Sequence, residues 1–446
     1  MKNLRSGFLA IVLLLTVLPI QSQKTQMELM EVCKAIDYDY FFKHLQYLAS
    51  DELAGRGIGT VGFDQAADYV INEFQKNGLI GLNQPDDYEQ AIDFSKLKLQ
   101  AGSFRLEVKN ESKAISAEYG AQVSAVMSAK YGSIDEKQAL VFVGYGNIIP
   151  ELGIDDYDGL DVKGKTVIVA LGGPKGMQHQ DFEDRNAKFE NAVARGASGL
   201  ILFYPKASLL QNVIFKQVHG FLSKDLLTLA DPTIESLVNV DLRLMLFAKK
   251  GFVQEILKLN GLNLKKALRA MAKGQLVSKP LSSSIHCIIG VDKTPVQSKN
   301  VVALWPGADP KLKNEYIVLG AHLDGLGIGE AVKGDSIYNG MLDNASGVAA
   351  LLSISKAFSE LGFQPKRSIV FIGYTAEENG LLGSAYFANK NPIKKGKIVA
   401  NLNMDMLAQT IETSDMAPLG YSHSNLSEAT DFAAKQLGFK IDDNRS

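Results

Sequence analysis

Three textures of hydrophobic patterning follow one another along the chain. From about residue 35 to 100 the apolar positions recur at helical steps. In "SDELAGRGIGTVGFDQAADYVINEFQKNGL" a glycine-rich turn precedes Ala66, Tyr69, Val70 and Phe74, which predicts an amphipathic helix ended by Gly78. From roughly 118 to 292 the runs are short and β-rich. "ALVFVGYG" and "KGKTVIVALGG" read as strands, and "NAVARGASGLILFYP" reads as a helix, a turn at Gly196 and a strand. From about 297 onward strands and helices alternate. "NEYIVLGAH", "RSIVFIGYT" and "KIVANLNMDM" are strands, separated by the helices of "DNASGVAALLSISKAFSELG" and "GLLGSAYFANK". The first of these helices places Val348, Leu351, Leu352, Ser355 and Phe358 on one face. Such alternation predicts an α/β fold, a mixed and mostly parallel sheet covered by helices.

The polar residues interrupt this pattern in one kind of place. The first strand ends at His322, with Asp324 two residues on. Asp343 and Asn344 stand immediately before the long helix, where a helix N-cap is the ordinary reading of either one alone. The second strand runs into the adjacent pair Glu377 and Glu378, and the third ends at Asp405. In an open α/β sheet the carboxyl ends of neighbouring strands meet at one crevice. Four approaches to that edge therefore deliver one imidazole and several carboxylates. Two neighbouring glutamates at the mouth of a buried strand repel each other and lose hydration, so an isolated pair there is unfavourable.

Size and charge narrow the classes. A chain of 446 residues is long for one core, and 46% hydrophobic with 22% charged residues is ordinary for a globular protein. A net charge of −2 gives no support for nucleic acid or an anionic membrane as partner. Lys2 and Arg5 precede an apolar run from Phe8 to Ile20 that is short for a membrane span. It reads as a signal peptide over 1–22, with an exported product, periplasmic or secreted, that is soluble after cleavage. Cys33 and Cys287 are the two cysteines, too few and too far apart for a thiolate zinc site.

A cysteine-free set of histidine and carboxylates is a ligand set for Zn²⁺, or for Mn²⁺ or Co²⁺. One histidine with four or five acids exceeds the need of a single cation. Two cations about 3.5–4 Å apart, sharing a carboxylate, use that charge better. A further carboxylate left without a metal then serves as general base.

Four stretches in order, "VLGAHLDGLG", "NGMLDNASGVAALL", "YTAEENGLLGSAYF" and "NLNMDML", resemble the co-catalytic zinc aminopeptidases related to aminopeptidase Y. Glutamate carboxypeptidases and glutaminyl cyclases are more distant relatives of that family. The resemblance implies two zinc ions and peptide substrates. It implies His322, Asp343, Glu378 and Asp405 as metal ligands, with Asp343 bridging both ions and its bond to Asn344 cis. Glu377 becomes the general base, and Asp324 orients the His322 imidazole from behind. "LASDELAGRGIGTVGFDQAADYV", with Arg56, matches the family's N-terminal part. "YDGLDVKGKTVIVALGG" and "AVARGASGLILF" resemble an inserted protease-associated domain. The resulting division is 23–117 and 293–446 for the peptidase domain and 118–292 for the insert.

Two positions depart from the family. Gly325 stands where a histidine is usual, at a position that is not a ligand. The family's late Ser-Asp-His histidine has no counterpart here, which implies a chain lacking its C-terminal portion. His423 is the one histidine after Asp405 and the candidate substitute. The expected function is an exopeptidase, foremost an aminopeptidase. The alternatives are a carboxypeptidase removing acidic C-terminal residues and a binding protein that keeps the fold without catalysis.

Overall fold

The structure, a computed structural model, describes residues 31–442 except 129, 176–180, 207–209, 235–241, 408–413 and 417. The leader expected over 1–22 lies outside the described residues. Two compact units divide the chain, Met1–Phe94 with Val296–Ser446 forming one and Ser95–Pro295 the other. The chain leaves the first unit within the strand Glu89–Leu99 and returns within Val291–Trp305. Among the described residues no helix is long and apolar enough to cross a membrane.

In the first unit the strand Ser368–Tyr374 is buried at every position, as its near-continuous apolar sequence requires. It pairs antiparallel with Val291–Trp305 and parallel with Glu315–His322. The latter pairs parallel in turn with Lys397–Asn403. Three parallel neighbours therefore finish at one edge. Register sets His322 beside Tyr374 and Gly320 beside Asn403, so the residues just past Tyr374 and Asn403 arrive level with His322.

Helix Ser346–Leu361 carries the expected face but is buried almost all round. One core cluster unites it with the sheet residues Val301, Leu319 and Phe371 and with the helices Tyr38–Leu48 and Val61–Lys76. Phe358 meets Phe371 edge-on at 5.9 Å between ring centroids. Asn77 reaches into the same core and donates from Nδ2 to Ser355 Oγ at 2.9 Å. Gly362, at φ 55°, ends the helix in the left-handed conformation. In Val61–Lys76 the residues Ala66, Val70 and Phe74 are fully buried, and the Thr60 hydroxyl caps the first turn by accepting from Phe63 N. On the opposite face of the sheet Val302, Val318, Val370 and Ile372 pack with Phe387 of helix Leu382–Asn389.

The second unit is built on an eight-stranded sheet. Its order is Ala114–Ser116, Arg105–Lys109, Lys279–Ile289, Ile134–Phe142, Thr166–Ala170, Gly199–Phe203, Leu244–Ala248 and Val123–Ala125. The segments expected as strand, helix and strand are Thr166–Ala170, Asp181–Ala194 and Gly199–Phe203, and Gly196 turns at φ 78°. Arg105–Lys109 and Ala114–Ser116 lie in this sheet, so the unit begins at Ser95 and not near 118. Two apolar clusters cover its faces. Helix Asp181–Ala194 contributes a buried lysine. The Lys188 ammonium donates to Tyr145 O, Asn147 Oδ1 and Gly172 O at 2.7–2.8 Å, which ties two turns together.

Neither cysteine forms a disulfide. Burial pushes both thiols up to about 12, so neither is a reactive thiolate at neutral pH.

Candidate metal centre

His322 closes its strand with 1% of its side chain exposed. Its Nδ1 lies 3.2 Å from the Asp324 carbonyl oxygen, which accepts from it, and Nε2 faces the crevice. Around Nε2 stand Asp343 Oδ1 at 2.9 Å, Asp405 Oδ1 at 3.6 Å and Glu377 Oε2 at 3.8 Å. These carboxylates come from three different segments, and each is partly open to solvent. His322, Glu377 and Asp405 each offer a ligand atom within 4.8 Å of the other two, a spacing that one metal ion bridges.

Asp324 is fully buried behind the imidazole. Its carboxylate accepts from the Glu377 amide at 3.1 Å and from the Glu378 amide at 3.2 Å. It is 3.7 Å from His322 Nδ1, so the nearer hold on the ring is its own backbone carbonyl. Asp324 thus positions the glutamate turn more directly than it positions the histidine. That turn is tight, with Ala376 at φ 55°. Glu378 is outside the three-residue group, and the charge that acts on it most strongly is Asp343.

Asp343 is not a helix cap. The peptide bond to Asn344 is cis, and it is Asn344 that bonds to the helix. Its Oδ1 accepts from Gly347 N at 2.9 Å and its Nδ2 donates to Met404 O at 2.8 Å. Asn344 therefore ties the long helix to the strand that delivers Asp405. The approach is so close that a Cβ at Gly347 would stand 2.4 Å from Asn344 Oδ1.

Arg56 was legible only as a match to a family segment, and the structure gives it a specific place. It is 1% exposed and lies below the site. Nε donates to Leu323 O at 2.9 Å, Nη1 to Asn339 O at 2.8 Å and to Leu48 O, and Nη2 to Gly340 O at 3.0 Å. Two of the site's loops, 322–325 and 339–343, thus hang on one guanidinium. Burial lowers its pKa to about 10, against the attraction of Asp324, Asp343 and Glu378.

Gly325 sits where Arg56 O accepts its amide at 3.2 Å. A Cβ there would stand 2.7 Å from the Gly55 carbonyl oxygen, so this backbone accepts no side chain without shifting. Gly325→Ala is expected to cost about 1–3 kcal/mol of stability, read by chemical denaturation. His423 is exposed in the short turn Tyr421–His423 and takes no part in the cluster.

The charge of the site argues for a cation. Burial disfavours a charged His322, yet Asp324, Asp405 and Glu377 hold its pKa at about 11. Burial raises the Glu377 carboxyl, with Asp324, Asp405 and Asp343 adding to the rise against the pull of His322. Burial and Asp343 push Glu378 up to about 7. Two glutamates disfavoured as anions by burial and by neighbouring acids, around an imidazole aimed by a carbonyl on its far side, belong to a donor set that suits zinc.

Residues 300–445 match peptidase family M28. Leupeptin-inactivating enzyme 1 of Streptomyces exfoliatus is 40% identical over 109 residues, 24% of this chain and 22% of that protein. A probable leucine aminopeptidase 2 of Aspergillus fumigatus is 37% identical over 110 residues, 24% of this chain and 19% of that protein. The matched part is thus about a fifth of each relative. An aminopeptidase from Aneurinibacillus sp. strain AM-1 aligns in structure over 92% of this chain and 85% of its own, with 19% identity and a TM-score of 0.47. The matched residues, 300–445, contain every strand end that builds the cluster, and over this part the chain is similar to peptidase family M28.

Proposed function

We propose that the chain is an exported zinc-dependent exopeptidase that removes N-terminal residues from peptides. The observation that carries this reading is the convergence of His322, Asp343, Glu377 and Asp405 at the common end of three parallel strands. His322, Asp343, Asp405 and Glu378 would hold two zinc ions. Bound zinc supplies Lewis acidity, polarising a scissile carbonyl and acidifying a water. Export rests on Lys2, Arg5 and the apolar run that follows.

The chain's own contribution is positioning and proton movement. Glu377 accepts the proton of the attacking water at a carboxylate oxygen and returns it to the departing amine. Burial raises the pKa of this carboxyl, the direction that favours holding the proton between the two transfers. The bond from Glu377 N to Asp324 holds the base in place while its charge changes. His322 keeps Nε2 toward the crevice because Nδ1 is committed to the Asp324 carbonyl.

Exposed apolar side chains flank every loop of the site. Leu326 follows Asp324, Met341 precedes Asp343, Leu381 follows Glu378 and Met406 follows Asp405. They support an apolar side chain at the substrate's N-terminus.

The test is hydrolysis of a peptide panel by zinc-loaded full-length protein. Release from free but not N-acetylated peptides, faster for leucine than for glutamate, is expected. Cleavage blocked by C-terminal amidation would instead establish the carboxypeptidase alternative. No release of either kind would leave a binding protein.

Metal affinity should depend on pH in a particular way. In a metal-free preparation His322 carries a proton up to about 11 and Glu378 up to about 7, and zinc must displace both. Affinity therefore falls as pH falls, by about tenfold per unit above pH 7 and more steeply below it. Competition with a chelator between pH 6 and 8, roughly, reads this directly, and a pH-independent affinity contradicts it.

A further inference from the structure

The second unit contains a concentration of positive charge that plays no part in the reaction proposed above. Residues 249–273 hold seven basic residues, Lys249, Lys250, Lys258, Lys265, Lys266, Arg269 and Lys273, against the single acid Glu255. The whole chain carries a net −2. Five cations, Lys175, Lys250, Lys265, Arg269 and Lys273, surround one cavity of ≈ 450 Å³ over a floor that includes Leu268. This volume is of the size that holds a small ligand.

The charges are placed against the preferences of the fold that bears them. Lys265, Arg269 and Lys273 follow one another at four-residue steps along and just past helix Leu264–Met271, the spacing at which like charges repel. Lys250 opens helix Lys250–Leu259 at the end where a cation opposes the helix dipole, and that helix has no side-chain cap. No ion pair within 4.0 Å joins any of these five cations to a carboxylate among the described residues. The Lys250 ammonium instead donates to Pro205 O at 2.6 Å, and burial lowers its pKa.

The wall is rigid as well as charged. Lys175 N donates to Ala272 O at 3.2 Å, which fixes the loop carrying Lys175 to the end of the basic helix. Three residues before it, Gly172 O accepts from the buried Lys188 ammonium. Asn263 caps the start of that helix by accepting from Lys266 N, and Leu264 and Met271 anchor it in the core. These anchors fix the backbone segments that carry the cations around the cavity.

We propose that this cavity is a binding site for a phosphate-bearing polyanion, either free in solution or as the headgroup of an anionic lipid. Phosphoryl oxygens fit both the point charges of lysine and the planar fork of Arg269. A ligand with two or more negative charges would relieve the repulsion along the helix and give each cation a partner.

The test uses zinc-loaded full-length protein, inorganic pyrophosphate as soluble probe and vesicles of phosphatidylglycerol or phosphatidylcholine. Amide exchange over residues 264–273 is the readout, so chelation of zinc elsewhere does not enter it. Pyrophosphate is expected to slow exchange there, and the double variant Lys265→Gln with Arg269→Gln should weaken that effect at least about tenfold. Both residues are exposed, so peptide hydrolysis and the circular dichroism of the variant should match the parent. Sedimentation with phosphatidylglycerol and not phosphatidylcholine vesicles, lost in the variant, would identify the lipid headgroup as source. Protection by pyrophosphate without sedimentation would identify a free phosphate compound. Exchange unchanged by both probes, or protection undiminished in the double variant, overturns the proposal.

Discussion

Glu377→Gln should leave zinc content intact and lower turnover by about a hundredfold to ten-thousandfold, the usual worth of a positioned proton-transfer group. The amide is nearly isosteric with the carboxylate, so the backbone bond from residue 377 to Asp324 survives, as does the packing of the turn. What disappears is the capacity to take a proton from water. Glu378→Gln is expected to behave differently. Burial and, among charges, Asp343 above all press it toward neutrality, a strain that a cation beside both would relieve. Its loss should weaken zinc binding by roughly ten- to a hundredfold. The geometry makes this comparison decisive, because Glu377 and not Glu378 stands in the tight group with His322 and Asp405. Loss of zinc from Glu377→Gln would exchange the two roles, and full activity in both variants would sink the assignment altogether. Metal analysis and single-turnover kinetics on the same preparations separate these outcomes.

The edge at which these residues meet was legible because each strand announces its own end. A buried run such as "SIVFIGY" cannot carry a charge, so the first carboxylates after it mark where the sheet opens. Register was not legible. That Lys397–Asn403 lies beside Glu315–His322, bringing Asp405 level with His322, depends on long-range pairing that no local pattern encodes. The start of the second unit was missed for a related reason. Glu89–Leu99 and Val291–Trp305 run unbroken across the boundary, so composition changes well after the chain has left the first unit. Asp324 illustrates a third limit. The family resemblance implied a bond from it to the His322 ring, whereas its carboxylate accepts amides from residues more than fifty positions away. The basic cavity escaped because net charge averages over the surface, and seven cations in one segment vanish into a total of −2.

Arg56→Leu should be the most damaging single change in the first unit. Three consecutive residues, Ala54, Gly55 and Arg56, adopt positive φ values of 46°, 68° and 52°, a costly turn for two residues that bear a Cβ. The turn is held by what the guanidinium reaches, namely the carbonyls of Leu48, Leu323, Asn339 and Gly340. Leucine fills much of the volume but leaves those carbonyls without their donor in a buried setting. It also removes the cation lying under Asp324, Asp343 and Glu378. Together these losses are expected to destabilise the protein by about 3–5 kcal/mol, the range for stripping a partner from a buried charged network. The effect should extend to the metal, because Leu323 follows His322 and Gly340 precedes Asp343 in loops that Arg56 ties to Leu48 at the end of helix Tyr38–Leu48. Arg56→Lys should fall between parent and Arg56→Leu, since an ammonium keeps the charge but cannot span carbonyls on three segments. Thermal unfolding of metal-free protein reads the first effect and zinc titration the second. Unchanged unfolding and unchanged zinc affinity in Arg56→Leu would show that the loops hold their positions without the guanidinium.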